Sequence, residues 1–482
     1  MQMTKLKVIP MPKEVIGADA DGNFKHIGVK PVIFAENSEF TDSVNVFKEY
    51  IFRLHNAVLE NNKGGITLYS DISLEKEAYR IECESEEVKV YAGDKSGANY
   101  ALSTLLQLSE IRDGKLIFPN VKISDKPDCE YRSLMVDLAR KWHEFDILLK
   151  YIDMCYFYKV KYLHLHFMDN EGYTLPSKVF PKLPSDGKHY TVEQIKALNE
   201  YARLHGVEII PEIETPGHAS SLVKTYPDVF ANAEEKEDGT KSRWIGNIIC
   251  VGKSDVMENI KKLIAEVIEL FPYSDYIHVG GDEANIGEWN GCADCLRYMK
   301  EHKIENNLEL YSDFIKRITD MVIDMGKTPI VWEGFPKEGA EKISRDVLVM
   351  AWESMYHMSY DLVKEGFNIV NASWQPMYIT MGRYWTPEEI MAWNIYNWQN
   401  FFYKSEAHLN PIHLQPTDKV KGASLCCWEC TVEHEVNHLF GNLAAMSERT
   451  WNIRRYAEDE EFREKLESVV PRIKTIIEWQ LL

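Results

Sequence analysis

Residues 276–283 read Tyr276-Ile277-His278-Val279-Gly280-Gly281-Asp282-Glu283, an apolar stretch that runs through two glycines into two adjacent carboxylates. A buried strand ending at a reaction site has this form. Glycine lets the backbone turn and lets another group approach closely. Side chains alternate between faces along a regular strand, so Asp282 and Glu283 can share one pocket only where the strand stops. Two neighbouring carboxylates repel each other, which separates their pKa values and suits one of them to act as an acid near neutral pH. A solvated acidic turn is the plain alternative for an Asp-Glu pair. The Gly-Gly and the strand before it weigh against that alternative.

Outward from this stretch the same phrase recurs, a short apolar run ending in polar or aromatic residues and followed by an amphipathic segment. The other runs are Leu134–Asp137, Tyr162–Asp169, Val207–Glu214, Pro329–Trp332, Val347–Trp352, Phe367–Val370 and Ala423–Trp428, which with Tyr276–Val279 makes eight. Strands alternating with helical segments imply parallel βαβ units, and eight of them in roughly 300 residues predict an α/β chain closed into a (β/α)8 TIM barrel. The helical segments are legible: residues 191–206 open on a Thr cap and end on Gly. Residues 255–270 and 308–326 carry the same apolar spacing. Enzymes on this fold place their sites at the carboxyl ends of the strands. Here those ends carry Arg140, Asp169, Glu214, Asp282, Glu283, Trp332, Trp352 and Trp428.

Residues before about 125 have another rhythm. Residues 77–91 alternate like a hairpin and 97–108 read as a helix, which predicts a small α+β domain over 1–125, with a boundary near Ser124–Asp128. The barrel and a C-terminal helical segment then fill 126–482. That segment, Asp459 to Gln480, is amphipathic and is expected to break at Pro471. Between the seventh and eighth strands lies a long connection, Ser373 to Gly422, rich in aromatics and opening a helix at Thr386-Pro387-Glu388-Glu389 with a capping box. It is read equally as a wall of the cleft or as a surface for a partner subunit.

At 482 residues, 45% hydrophobic and 27% charged, the chain is long and apolar enough for a large folded core. A net charge of −20 argues against nucleic acid or an anionic membrane as partner. It leaves open a homo-oligomer. The N-terminal residues hold no apolar run of signal-peptide length, so a cytoplasmic protein is expected, or a secreted one had a leader been removed. Nine scattered cysteines fit a reducing compartment better than a disulfide framework. Cys292-Ala293-Asp294-Cys295 has the spacing of half a zinc site, and Cys426, Cys427 and Cys430 add sulfur. Without a second spaced pair, no metal is expected.

With barrel and carboxylates in place, the chain resembles the family 20 glycoside hydrolases, the β-N-acetylhexosaminidases. Their His-x-Gly-Gly-Asp-Glu hallmark stands here as His278 to Glu283. Leu134–Arg140 resembles their first strand, His164–Tyr173 the second, Pro211–His218 the third and Ser447–Trp451 the terminal helix. Residues 77–108 resemble the small domain that precedes their barrel. The family departs from the two-carboxylate scheme, because the substrate's own 2-acetamido oxygen is the nucleophile. The resemblance implies an exo-acting, retaining enzyme that releases terminal β-linked GlcNAc or GalNAc through an oxazolinium ion. It implies no cofactor.

Carried over residue by residue, Glu283 would protonate the leaving oxygen and then deprotonate water. Asp282 would hold the acetamide nitrogen, and Tyr378 would donate to the acetamide oxygen. Trp332, Trp352 and Trp428 would box in the acetamide methyl and the sugar face, or serve simply as core. Arg140 would reach sugar hydroxyls, or form a salt bridge with Asp137 or Asp169. His218 pairs with Asp169, either structurally or catalytically, and His278 reads as structural. The chain departs from the family at the rim. Tyr378-Ile379-Thr380 stands for Tyr-x-Asp, and Trp428-Glu429-Cys430 for Trp-x-Glu. These changes leave preference among GlcNAc, GalNAc and 6-substituted sugars open, as well as release of a disaccharide. A glycan-binding barrel without turnover is the reading from another class, and the intact Asp282, Glu283 and Tyr378 speak against it. The spaced Asp-x-Asp-x-Glu of chitinase-like barrels does not occur.

Overall fold

The computed structural model describes residues 6–454 and 459–478. Residues 1–5, together with Trp479 and Gln480 of the expected tail, lie outside the described residues. Eight parallel strands run in chain order: β1 (Tyr131–Asp137), β2 (Tyr162–His166), β3 (Glu208–Thr215), β4 (Tyr276–Gly280), β5 (Thr328–Trp332), β6 (Leu348–Ala351), β7 (Asn368–Asn371) and β8 (Val420–Trp428). Each pairs with the next, and β1 pairs with β8 from Tyr131 opposite Gly422 to Val136 opposite Cys427, closing the barrel. Every one of the eight apolar runs has become a strand. The boundaries move by one to three residues because hydrogen bonding, not hydrophobicity, sets where a strand ends.

Burial on both faces explains why these strands read as continuous apolar runs. Helix Val192–His205 carries a full capping box between Thr191 and Gln194 and stops at Gly206 in the left-handed region. Helices Ser254–Leu270 and Asn307–Asp324 occupy the segments expected for them.

Ahead of the barrel, a seven-stranded mixed sheet contains the hairpin Tyr79–Glu84 and Glu87–Ala92, and its strand Val121–Asp125 comes shortly before β1. Helices Thr41–His55 and Lys95–Leu108 lie between this sheet and the barrel helices Phe145–Phe157 and Val192–His205. Polar ties cross the junction: Arg53 pairs with Asp153 at 2.9 Å, Arg132 with Glu77 at 3.0 Å, and the Trp451 indole donates to Asp125 at 2.9 Å.

One expectation fails. The C-terminal segment does not break at Pro471 but runs as a single helix, Asp459–Glu478. Proline removes one backbone bond, and burial of Phe462, Val469, Ile473 and Ile476 against the rest of the chain offsets that loss. Among the described residues no helix is long and apolar enough to cross a membrane.

The connection from β7 to β8 is mostly folded into its own chain. Trp398 and Trp393 are buried in the core, and helix Pro387–Ala392 packs on helix Val432–Trp451. A short strand, Tyr378–Thr380, pairs alongside β8 with Tyr378 opposite Cys426 and Thr380 opposite Trp428.

Candidate active site

The carboxyl ends of the strands converge on one pocket. Strand β4 ends at Gly280, whose φ of 76° no ordinary side chain favours, and a Cβ there would stand 2.0 Å from the Glu214 carboxylate. The turn sends Asp282 inward, where it is 8% exposed, and Glu283 outward, where its side chain is 47% exposed. Glu283, His218 and Glu429 all hold left-handed backbones, with φ of 45°, 48° and 57°. Such strain in side-chain-bearing residues gathers where geometry is imposed by function.

Asp282 Oδ1 is buried without a protein hydrogen-bond partner. A buried acceptor of that kind is costly unless something donates to it. Burial, and the charges of Glu283, Glu212 and Asp169, raise the Asp282 carboxyl to about 6 against the pull of His218. Glu283 moves the other way: the His218 imidazole lies 3.1 Å from its carboxylate and holds it below the usual range. His218 itself is raised to about 11, because hydrogen bonds to Asp169 and Glu283 and the charge of Asp282 overcome its burial. The protein's own charges therefore place the more basic carboxyl on Asp282, the reverse of the order the resemblance implies.

Asp169 is the hub behind His218. Although burial opposes ionisation, hydrogen bonds and charge from His166 and His218 hold it far below the usual carboxylate range. The Arg140 guanidinium pairs with it at 2.6 Å and lies 4.9 Å over the Trp428 ring. The same guanidinium is 3.5 Å from Asp137, 3.9 Å from Glu171 and 3.8 Å from Glu429. Arg140 is thus both salt-bridged and, at 18% side-chain exposure, open to the cleft. The one-residue shift that puts Glu429 after Trp428 still brings a carboxylate to Arg140, while the Cys430 thiol turns inward toward the Ile379 carbonyl.

The aromatic residues form a box. Trp352 and Tyr378 lie parallel at 6.1 Å, Tyr378 stands 6.2 Å from Trp428, and Trp332 stands 5.8 Å from Trp428. Burial and the nearby Cys426 thiol and Asp282 keep the Tyr378 hydroxyl well above its usual value, so it stays a donor. Trp374 closes the box 5.8 Å from Tyr378 and packs on Phe401 at 4.6 Å. The sequence placed Trp374 only in the aromatic connection, since nothing in its spacing ties it to Tyr378.

Beneath the box lies a polar lattice. Glu212 is approached by His164 at 2.9 Å, His166 at 2.7 Å and His278 at 2.9 Å, and it accepts the Trp332 indole N–H. His164 and His166, like Glu212 and Glu214, stand two apart on a strand, the spacing that puts both on the lumenal face. That signal was readable, though not which partners would meet. Glu333 is buried and accepts from the backbone amides of Trp352, Ser354, Met355 and Tyr356, fixing the turn after β6. Glu353 belongs to no motif that the sequence makes visible. It is buried and raised to about 8, first by desolvation and then by Glu283, Glu333 and Asp282.

His164–Glu212–His278, His166–Glu212–Glu214 and His218–Asp282–Glu283 each cluster closely enough to chelate. Hydrogen bonds within the protein already occupy several of these atoms. The chemistry on offer is proton transfer at Glu283, charge stabilisation at Asp282 and hydrogen-bond donation from Tyr378, all beside an apolar box.

The chain matches two family models: one described as glycosyl hydrolase family 20, catalytic domain, over residues 129–454, and one described as glycosyl hydrolase family 20, domain 2, over residues 5–126. It is 26% identical over 346 residues to a β-hexosaminidase of Vibrio furnissii, covering 67% of this chain and 56% of that relative. It is 28% identical over 424 residues to a β-hexosaminidase of Akkermansia muciniphila, covering 82% of this chain and 83% of that one. The chain thus spans little more than half the length of the Vibrio furnissii relative. Among solved structures, an exo-β-N-acetylglucosaminidase of Vibrio harveyi in complex with N-acetylglucosamine superimposes with a TM-score of 0.82 at 22% identity, over 98% of this chain and 78% of that one. At that identity the likeness is one of fold.

Proposed function

The chain belongs to glycosyl hydrolase family 20, and from that premise we propose that it is an exo-acting, retaining β-N-acetylhexosaminidase whose nucleophile is the 2-acetamido oxygen of its substrate. The observation that carries this reading is the convergence on one aromatic box of a buried acceptor without a partner, Asp282 Oδ1, and a buried donor, Tyr378. An acetamide needs that pair: its N–H donates to Asp282 and its oxygen accepts from Tyr378. Its methyl group then rests among Trp332, Trp352 and Trp428.

With the acetamide so held, its oxygen attacks the anomeric carbon as the bond to the leaving oxygen breaks. Glu283 gives its proton to that oxygen, and positive charge spreading onto the acetamide nitrogen is met by the Asp282 carboxylate. The resulting oxazolinium ion is opened by water, whose proton returns to Glu283. Two displacements at one carbon retain configuration. Exo action is supported by Arg140 and the exposed Glu429 at the rim, with buried Asp169 behind the guanidinium, a pair that would hold the outer hydroxyls of a terminal sugar.

At the other side of the rim, the Thr380 hydroxyl donates to the Arg383 carbonyl at 3.0 Å, and the exposed Arg383 guanidinium lies 3.5 Å over Phe401. Thr380 brings no negative charge where the family has an aspartate, and with the Arg383 cation nearby this favours a GalNAc or a 6-substituted residue, a sulfated one above all, over strict selection of GlcNAc. Paired nitrophenyl glycosides test both levels. Turnover of 2-acetamido sugars is expected, with none of the plain glucoside and at least comparable turnover of the GalNAc or 6-sulfated substrate. A glucoside cleaved as fast as the acetamido sugar would refute the mechanism. Unsubstituted GlcNAc preferred at least about tenfold, roughly 1.4 kcal/mol of transition-state binding, would refute only the specificity.

A further inference from the structure

Away from the cleft, three buried cysteines from two parts of the chain converge. Cys250 Sγ lies 3.5 Å from Cys292 Sγ and 3.7 Å from Cys295 Sγ, and the three sulfurs are all mutually close enough to hold one ion. The sequence offered only the Cys292-x-x-Cys295 half; its partner comes from 42 residues earlier, not from Cys426, Cys427 or Cys430. Sulfurs around a tetrahedral zinc, at Zn–S of about 2.3 Å, stand about 3.8 Å apart. A disulfide needs about 2.05 Å. Beside the cluster, Asn232 Oδ1 is 3.9 Å from Cys295 Sγ.

Backbone donors reach two of the three sulfurs. The Gly252 amide donates to the Cys250 sulfur, and the amides of Ala233 and Cys295 donate to the Cys292 sulfur. Arg317 donates to the Val251 carbonyl at 3.0 Å, placing a cation beside the cluster. A side chain at Gly252 would meet the Cys295 Cα at 2.5 Å, so glycine is what lets the two loops close on each other.

We propose that Cys250, Cys292 and Cys295, with the Asn232 side-chain oxygen, form a structural zinc site. Binding displaces the thiol protons to solvent and involves no change of oxidation state. The site clips the loop after β3, which carries His218, to the loop after β4, which carries Glu283. One further contact crosses the same seam, the Trp289 indole donating to the Ile249 carbonyl at 3.0 Å, and within the loop after β3 the Ile249 amide donates to the Pro216 carbonyl at 3.0 Å.

Elemental analysis of the untagged full chain, expressed in zinc-supplemented medium and dialysed against EDTA, tests the site without any variant. About one zinc per chain is expected, released by a mercurial thiol reagent. Cys83→Ser, in the N-terminal sheet, should keep the metal, and the double variant Cys292→Ser, Cys295→Ser should lose it. Zinc below about a tenth of an equivalent overturns the proposal, as does iron with visible absorption. Two fewer titratable thiols in denaturant than the nine the chain carries overturns it as well, by revealing a disulfide.

Discussion

Protonation of the two adjacent carboxylates decides how the pocket works. The proposed cycle starts with Asp282 ionised and Glu283 protonated, yet Asp282 is raised to about 6 and Glu283 is lowered. The productive form is then the minor one of the singly protonated pair. For free enzyme, we predict a bell in kcat/KM whose acid limb reports the first proton lost and whose alkaline limb falls near pH 6. Because His218 lowers both groups, His218→Asn should move both limbs to higher pH. An alkaline limb above about pH 8 would contradict this picture. Glu353, raised to about 8, is already neutral across that range. Glu353→Gln should therefore leave kcat/KM within about threefold of the parent below pH 7, and a 100-fold loss would make it an ionised participant. At this scale the sequence showed the chemistry-bearing residues through their positions at strand ends. It could not show the left-handed backbones of His218, Glu283 and Glu429, which depend on how loops pack.

Individual elements were more legible, for a physical reason. Parallel strands buried on both faces announce themselves as apolar runs, and caps such as Thr191 and Thr386 are local chemistry. Turns held by distant side chains are not local. The loop after β6 is fixed by Glu333, the residue that follows β5, whose carboxylate takes four backbone amides that no sequence pattern links to it. We predict that Glu333→Ala lowers stability by about 3 kcal/mol in urea unfolding, since buried amides lose their acceptor. It should also weaken substrate binding, since Trp352 loses the bond to its backbone amide. A loss under about 1 kcal/mol would mean that the loop finds other acceptors. Trp374 belongs to the same class: it reaches the box through tertiary packing on Phe401, so its spacing in sequence carried no signal.

For the molecule as a whole, the N-terminal sheet and the barrel are joined through buried polar contacts and not by a flexible linker. The Met11 amide donates to Glu448 at 2.6 Å, the Lys159 ammonium donates to the Tyr79 hydroxyl at 2.8 Å, and Gln107 donates to the Phe157 carbonyl at 2.8 Å. Cutting the barrel free would leave such groups without partners, so calorimetry should show one cooperative transition for both parts. Two separated transitions would show that the junction is weak. One substrate series tests the whole catalytic assembly: aryl β-glycosides of GlcNAc whose acetamide carries none, one, two or three fluorines. If the acetamide oxygen is the nucleophile, kcat/KM falls steadily as fluorine withdraws electron density from it. A flat series would contradict attack by the acetamide, because the attacking group would then belong to the protein.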